Sequence, residues 1–453
     1  MVKLSFFGGV NEIGGNKILL EDKDARIFLD FGLSFAGEAQ YFGGYLCPRG
    51  VNGAGDYLEF GLLPNLTGLY AKEMIKNTKI KYEEPLFDAV ILSHAHIDHI
   101  GYLQFIHEEI PIYCGECTKT IIDAMQDSGR INLGEHNYCT FRTGKKIKID
   151  TLEIEPTHVD HSVPGAYGFV INTSDGAIVY TGDLRLHGPA SQMTNDFAES
   201  ATKHDPVAMI SEGTRVCPTE ERIVLNSEAE VKKKCNEVVA NASNLVIATF
   251  YSRDIDRLRT LHQVAKENNR KFVIPLRKAY LLNMLRNDPR LEIPDIQKDD
   301  TIVFYMKRKK TGEYLETDYY KWERPFLTKA VTYDYIRKNQ SKVLLNLDLT
   351  EFTELIDIKP SSGGHFIHSM SEPFSEEDID KDVMHRWLNH FGLEFHQIHA
   401  SGHCSQPHLK KIVDRIKPKQ IVPIHTEHPE IFKQIFKDIK VVIPQKEKML
   451  TIK

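Results

Sequence analysis

His94, His96, Asp98 and His99 fall within six residues, directly after the apolar run 87–92. Side chains two apart on an extended segment point the same way, so His94 and His96 can grip one metal ion. Asp98 and His99 lie on the first turn of an expected helix over 98–110, where Leu103, Ile106 and Ile110 share a face and Pro111 closes it. From that turn, a carboxylate and an imidazole can serve a second ion roughly 3.5–4 Å from the first. A strand delivering two ligands, followed by a turn delivering two more, is the layout of a two-metal hydrolase.

Such a site needs further ligands from elsewhere in the chain. His161, in the stretch 158–165, is one candidate; Asp183, ending the apolar strand 176–183, is a second; His425, closing the strand 421–424, is a third. Asp183 can bridge two ions because a carboxylate has two oxygens to share. Taken singly, each of the three is unremarkable in a chain of 20 histidines, and only context singles them out. His107, His136, His204, His262 and His428 are read as surface or satisfied core residues. Imidazole and carboxylate without thiolate suit Zn²⁺ or Mn²⁺. The one C-x-x-C, Cys114 to Cys117, has no second ligand pair at suitable spacing and is read as two ordinary cysteines.

These residues must be positioned by a sizeable fold. At 453 residues the chain has room for two or three domains, and its 41% hydrophobic and 26% charged fractions are those of an ordinary globular protein. No apolar run approaches the ~18 residues that span a bilayer. Residues 1–9 lack the apolar core of a signal peptide, and seven scattered cysteines do not suggest a disulfide framework. A cytoplasmic protein with no membrane partner is expected. The net charge of −6 excludes a global basic signature, so a polyanion would be held by a local patch or by metals. The sharpest basic run, 307–310, is read as a solvated loop.

Short β-like runs and Gly/Asp turns fill the first two hundred residues, broken by an irregular Gly-rich, aromatic insertion over 36–70. From about residue 211 the pattern becomes longer α/β alternation: a helix over 230–240, strands at 245–250 and 271–276, a helix over 254–267, and strands at 302–305 and 343–347. Repeated strand–helix–strand units imply a parallel sheet covered by helices. The last sixty residues return to the first pattern, with a helix over 407–416 and the strand ending at His425.

The set as a whole resembles the metallo-β-lactamase superfamily, whose H-x-H-x-D-H motif stands here as His94-Ala95-His96-Ile97-Asp98-His99, with Asp30 matching its early structural aspartate. The inserted domain narrows the resemblance to the β-CASP nucleases. Ser211-Glu212-Gly213-Thr214 matches their acidic motif, Ala400-Ser401-Gly402-His403 their later histidine motif, and Pro423-Ile424-His425 their last histidine. The stretches 8–16, 161–164 and 248–253 are similar to the ribonuclease J group, and the insertion 36–70 to its shorter archaeal form. The chain's end, 28 residues after His425, fits that shorter form. The fold so implied is an αββα metallo-β-lactamase sandwich (1–210 and 395–453) interrupted by an α/β β-CASP domain with a parallel sheet (211–394).

The resemblance implies that His94, His96 and His161 hold one ion, that Asp98, His99 and His425 hold another, and that Asp183 bridges them, with Zn²⁺ the leading choice and Mn²⁺ the other. Asp98 and Asp183 thus belong to the catalytic set. His403 is the candidate general acid for the leaving oxygen, and Glu212 a partner that orients a histidine. The substrate implied is single-stranded RNA, cut 5′→3′ from a 5′-monophosphate end, by a homodimer. Ser252, Arg253, His368, Ser369 and Ser371 are the RNA-binding candidates; the small donors of 361–371 would cradle a terminal phosphate. The alternatives are an endoribonuclease or RNA 3′-end processing factor and, in another class, an inactive RNA-processing scaffold.

Overall fold

The computed structural model describes residues 1–218, 227–371 and 379–452. Two compact units are present: Met1–Ile122, Gly129–Glu221 and Gly402–Lys453 form the first, and Asp123–Ser128 with Arg222–Ser401 the second.

The first unit is built on two seven-stranded sheets. One carries the antiparallel strands Lys3–Gly8, Lys17–Asp22 and Ala25–Phe31, followed in parallel by Ala89–Ile91, Ile112–Gly115 and Tyr138–Phe141. The other carries Leu152–His158, Tyr167–Thr173 and Gly176–Tyr180, then Ala208–Glu212 and Gln420–Ile424 in parallel. Apolar side chains of both sheets, among them Leu4, Leu20, Leu29, Ile91, Phe169, Ile178, Ile210 and Val422, meet in one buried core. Each outer face buries a second layer. The helices Ser191–Thr202 and Gln406–Ile416 supply Phe197, Leu409, Ile412 and Val413 over the second sheet. This is the expected αββα sandwich, and burial on both faces explains why its strands read as continuous apolar runs.

The insertion 36–70 has more order than its composition suggests. It forms the helices Phe35–Tyr41 and Gly55–Glu59 and contributes Ala54, Leu62, Leu63, Leu69 and Tyr70 to the outer layer of the first sheet. The helix expected over 98–110 does not form. Ile97–Ile100 make one turn and Leu103–Phe105 a 3₁₀ turn. The helical bond from Tyr102 to the Asp98 carbonyl is replaced at both ends: Asn16 N–H takes Asp98 O at 3.0 Å, and Tyr102 N–H goes to Phe31 O at 3.1 Å. Tertiary hydrogen bonds outcompete the local pattern and pin the ligand turn to the first sheet.

The second unit is a seven-stranded sheet in which every pairing is parallel, in the order Ala330–Val331, Ile302–Tyr305, Lys271–Pro275, Val343–Asn346, Val246–Thr249, Gly364–His368, Leu393–Gln397. Ser227 and Asp254 cap the helices Glu228–Asn241 and Ile255–Glu267 by accepting from Glu230 N and Arg257 N. The borders differ from the expected 211–394. Ala208–Glu212 is hydrogen-bonded into the second sheet of the sandwich, so Glu212 belongs to the first unit. Leu393–Gln397 pairs with Gly364–His368, so the completing segment of the sandwich starts at Gly402 rather than 395.

Candidate metal centre

The ligand candidates stand at the ends of strands in the first unit. Ser93–His96 follow Ala89–Ile91, Asp183 follows Gly176–Tyr180, and His425 follows Gln420–Ile424. Two close approaches require glycine. A Cβ at Gly32 would lie 1.6 Å from Asp98 O, and Gly182, at φ +52°, would meet Tyr167 O at 2.7 Å. Asp30 and His425 themselves hold left-handed backbone, φ 56° and 52°, a strain that clusters at functional sites.

Two clusters converge and share one carboxylate. The ligand atoms of His94, His96, His161 and Asp183 lie within 4.8 Å of one another, as do those of Asp98, His99, Asp183 and His425. In the first, His94 Nε2 and His161 Nε2 stand 3.0 and 3.1 Å from His96 Nδ1, and Asp183 Oδ2 is 3.5 Å from His94 Nε2. In the second, His99 Nε2 is 3.1 Å from Asp183 Oδ2, and His425 Nε2 is 3.1 Å from Asp98 Oδ2 and 3.6 Å from Asp183 Oδ2. Donor atoms around a tetrahedral ion with bonds of about 2.1 Å lie about 3.4 Å apart, so the spacings fit.

The outer nitrogens support the same reading. Ser93 Oγ donates to Asp30 Oδ2 and accepts from His94 Nδ1 at 3.0 Å. His99 Nδ1 donates to Asp30 at 2.7 Å, His161 Nδ1 to Gly402 O at 2.7 Å, and His425 Nδ1 to Thr214 Oγ1 at 2.8 Å. Each donation leaves an Nε2 lone pair facing inward, the tautomer a metal requires. Asp183 Oδ1 is buried without a hydrogen-bond partner, which a bridging role would satisfy. The donor set therefore fits divalent ions.

Electrostatics divide the two clusters. Burial, with the neighbouring His99 adding to it, holds His94 well below the ordinary imidazole range; burial and then His403 bring His161 down to about 3. Burial also opposes charge on His99 and His425, yet the carboxylates win: Asp183, Asp30 and Asp98 hold His99 well above its usual value, and Asp183 with Asp98 pushes His425 up to about 9. Burial likewise works against the two carboxylates, and His99 and His425 still hold Asp98 and Asp183 below the usual range. Positive charge is thus favoured where Asp98 and Asp183 converge.

His403 adjoins both clusters without joining either. Its ring centroid is 5.0 Å from that of His161 and 5.5 Å from that of His425, and its Nδ1 is 3.3 Å from Glu212 Oε2. Its side chain keeps 19% exposure, whereas His94, His99, His161 and His425 keep at most 1%. Glu212, fully buried, accepts from Thr214 N and Oγ1. Thr214 joins them: its hydroxyl donates to Glu212 and accepts from His425 and His403. Sequence reasoning passed over Thr214 although it ends the quoted acidic motif. It also passed over Tyr180, whose hydroxyl donates to Asp30 at 2.5 Å across 150 positions.

The RNA-binding candidates lie in the second unit. Ser252, Arg253 and Ser371 are half-buried, and Ser371 Oγ is 2.5 Å from Tyr251 Oη. His368 Nδ1 is 2.8 Å from Gln397 Oε1. Within 361–371, where the small donors are expected to cradle a terminal phosphate, Gly364–His368 is a sheet strand. Ser369 is fully buried, donates to Ile398 O at 2.6 Å, and receives the buried Arg257 guanidinium. Its hydroxyl is engaged in holding the second unit together.

Comparison with known proteins bears on this arrangement. A family profile described as a beta-lactamase superfamily domain matches residues 64–214, and one described as a Zn-dependent metallo-hydrolase RNA specificity domain matches residues 392–444. Six of the seven strands of the inserted parallel sheet lie between the two matches, and its edge strand Leu393–Gln397 falls within the second. The chain is similar to the β-CASP nucleases of the metallo-β-lactamase superfamily. Among curated proteins it is similar to several named ribonuclease J. That of Helicobacter pylori strain J99 is 23% identical over 98% of this chain and 58% of its own length; that of Thermus thermophilus is 24% identical over 94% and 68%. The chain spans about three fifths of the length of the first of these relatives, 58–59%. A solved structure described as a protein of unknown function from Enterococcus faecalis V583 has the same fold, with a TM-score of 0.75 at 23% identity and 99% of both chains covered. Among the described residues no helix is long and apolar enough to cross a membrane.

Proposed function

We propose that the chain is a metal-dependent ribonuclease that hydrolyses single-stranded RNA 5′→3′ from 5′-monophosphate ends. The observation that carries this reading is the pair of four-ligand clusters sharing Asp183, with His403 beside both. The similarity to ribonucleases J and the match described as an RNA specificity domain support RNA as the substrate. The archaeal-type assignment rests on the sequence of the insertion 36–70, and a homodimer is part of the same proposal.

Two divalent ions, Zn²⁺ or alternatively Mn²⁺, would be held by His94, His96 and His161 on one side and by Asp98, His99 and His425 on the other, with Asp183 between. The chemistry such ions supply is activation of water and neutralisation of charge on the phosphodiester. The protein's own task is to fix the ligands and to move a proton. Asp30, Ser93, Thr214 and the Gly402 carbonyl hold four imidazoles in one tautomer, so none must reorganise as charge develops. His403 delivers a proton to the leaving 3′-oxygen. Glu212, 3.3 Å from its Nδ1, orients the ring and leaves Nε2 as the donor. Burial of the clusters keeps bulk water from competing for the ligands.

An RNA oligonucleotide with a labelled 5′-monophosphate, its products sized over time, tests the direction of attack. Labelled mononucleotide from the first time point is expected. Discrete longer labelled fragments would instead establish internal cutting and remove the 5′→3′ assignment.

A further inference from the structure

A second histidine–carboxylate cluster lies in the second unit and takes no part in the chemistry above. His365 is on the strand Gly364–His368, and Glu394 and His396 are on the edge strand Leu393–Gln397. Parallel register pairs His365 with Glu394 and Ile367 with His396, so all four project from the same face of the sheet. The opposite face carries Phe366, which packs in the core with Met384 and Leu388 of the helix Ile379–His390, and Phe395, packed against that core. The strand pairing therefore separates a structural apolar face from a face that gathers ligand groups.

His365 Nδ1 and His396 Nε2 approach to 3.0 Å. The Glu394 carboxylate straddles them, with Oε2 3.5 Å from His365 Nδ1 and Oε1 3.8 Å from His396 Nε2. The three ligand atoms lie within 4.8 Å of one another. Both rings are mostly covered, 17% and 21% exposed, while Glu394 is 65% exposed and leaves the cluster open to solvent. Burial, more than any neighbour, pushes His396 below its ordinary value, which favours the neutral, ligating form. The other outlying cluster, Glu84, His107 and Glu109, is poorer: Tyr82 Oη and Glu109 N–H occupy the two ring nitrogens of His107.

We propose that His365, Glu394 and His396 form a separate divalent-metal site, taking Zn²⁺ or a similar imidazole-seeking ion such as Co²⁺ or Ni²⁺. Two imidazoles, one carboxylate and an open position complete a four-coordinate shell. The ion cross-links the edge strand to its neighbour, so its effect falls on the second unit and not on hydrolysis. This site is independent of the nuclease assignment.

The test counts metal per chain after equilibration of stripped full-length protein with buffered Zn²⁺. The wild type should bind one ion more than the double variant His365→Gln/His396→Gln, with RNA hydrolysis unchanged between them. The variant Asp183→Asn, impaired at the main centre, should retain the extra ion. Adding Zn²⁺ to Asp183→Asn should raise its unfolding temperature, and adding the two histidine substitutions to that variant should abolish the rise. Glu394→Gln, an exposed change harmless to folding, should weaken the extra ion at least tenfold, read by chelator competition. Equal metal content in the wild type and the double variant, or unchanged affinity in Glu394→Gln, would overturn the proposal and leave a simple histidine–histidine hydrogen bond.

Discussion

His99 donates its Nδ1 proton to Asp30 at 2.7 Å, with both side chains wholly buried, and so turns Nε2 toward Asp183. The same carboxylate accepts from Ser93 N, Ser93 Oγ and Tyr180 Oη, so all of its acceptor capacity is spent on holding the ligand loop. Asp30→Asn replaces one acceptor oxygen with a donor at a point where only donors converge. Metal affinity should fall by about 10–100-fold, the usual cost of losing an orienting partner. Chelator competition measures it; unchanged affinity would show that Ser93 and the backbone suffice.

His403 lies beside both clusters without completing either, which separates turnover from metal content. His403→Ala should retain both ions while RNA hydrolysis falls by about 10²–10⁴. Elemental analysis of the same preparation reads the first half, and an emptied centre would make His403 a ligand instead of an acid.

The ligand motif and the parallel insertion were legible because each rests on close spacing or local periodicity, whereas the sandwich was expected only from the family resemblance. What was not legible depends on contacts far apart in sequence. Asn16 and Phe31 take over the backbone bonds that the pattern over 98–110 assigns to a helix. Thr214 looks like an ordinary turn residue until His403 and His425, 189 and 211 positions away, arrive at its hydroxyl. Ser369 reads as a small surface donor, since nothing near it announces the buried guanidinium of Arg257.

Arg257 provides a test of that correction. It is fully buried, pairs with Glu228 at 3.0 Å, and donates to the carbonyls of Ser369 and Ala400. Removing one partner of such a buried network strands the rest, so Arg257→Met should cost about 3–5 kcal/mol of stability. Ser369→Ala should cost about 1–3 kcal/mol. Urea unfolding followed in the second unit is the measurement. A neutral Ser369→Ala that altered only the preference for 5′-monophosphate ends would return Ser369 to the RNA-binding set.

Lys17, which is not among the candidate metal ligands, sets a separate pH dependence. Burial lowers its ammonium from 10.5 to about 7, although Nζ donates to Gly15 O and Gly32 O at 2.9 and 2.8 Å. The unfolded chain therefore binds more protons than the native one between pH 7 and 10.5. The cost of burying the charge is complete below that window and is relieved as pH rises through it, at up to about 1.4 kcal/mol per pH unit. Lys17→Met should remove this slope. Unfolding free energies at pH 7 and about pH 9, compared between the two proteins, check it; parallel slopes would mean that the two carbonyls keep Lys17 charged.

Metal-dependent hydrolysis of RNA is tested most directly by stripping the protein, titrating Zn²⁺ or Mn²⁺ back, and following one RNA substrate with wild type and Asp183→Asn. The shared position of Asp183 in both clusters predicts no cleavage in chelator, turnover that rises as the centre fills, and a variant that stays inactive at any metal concentration. Cleavage at the full rate in chelator, or by Asp183→Asn, would contradict it.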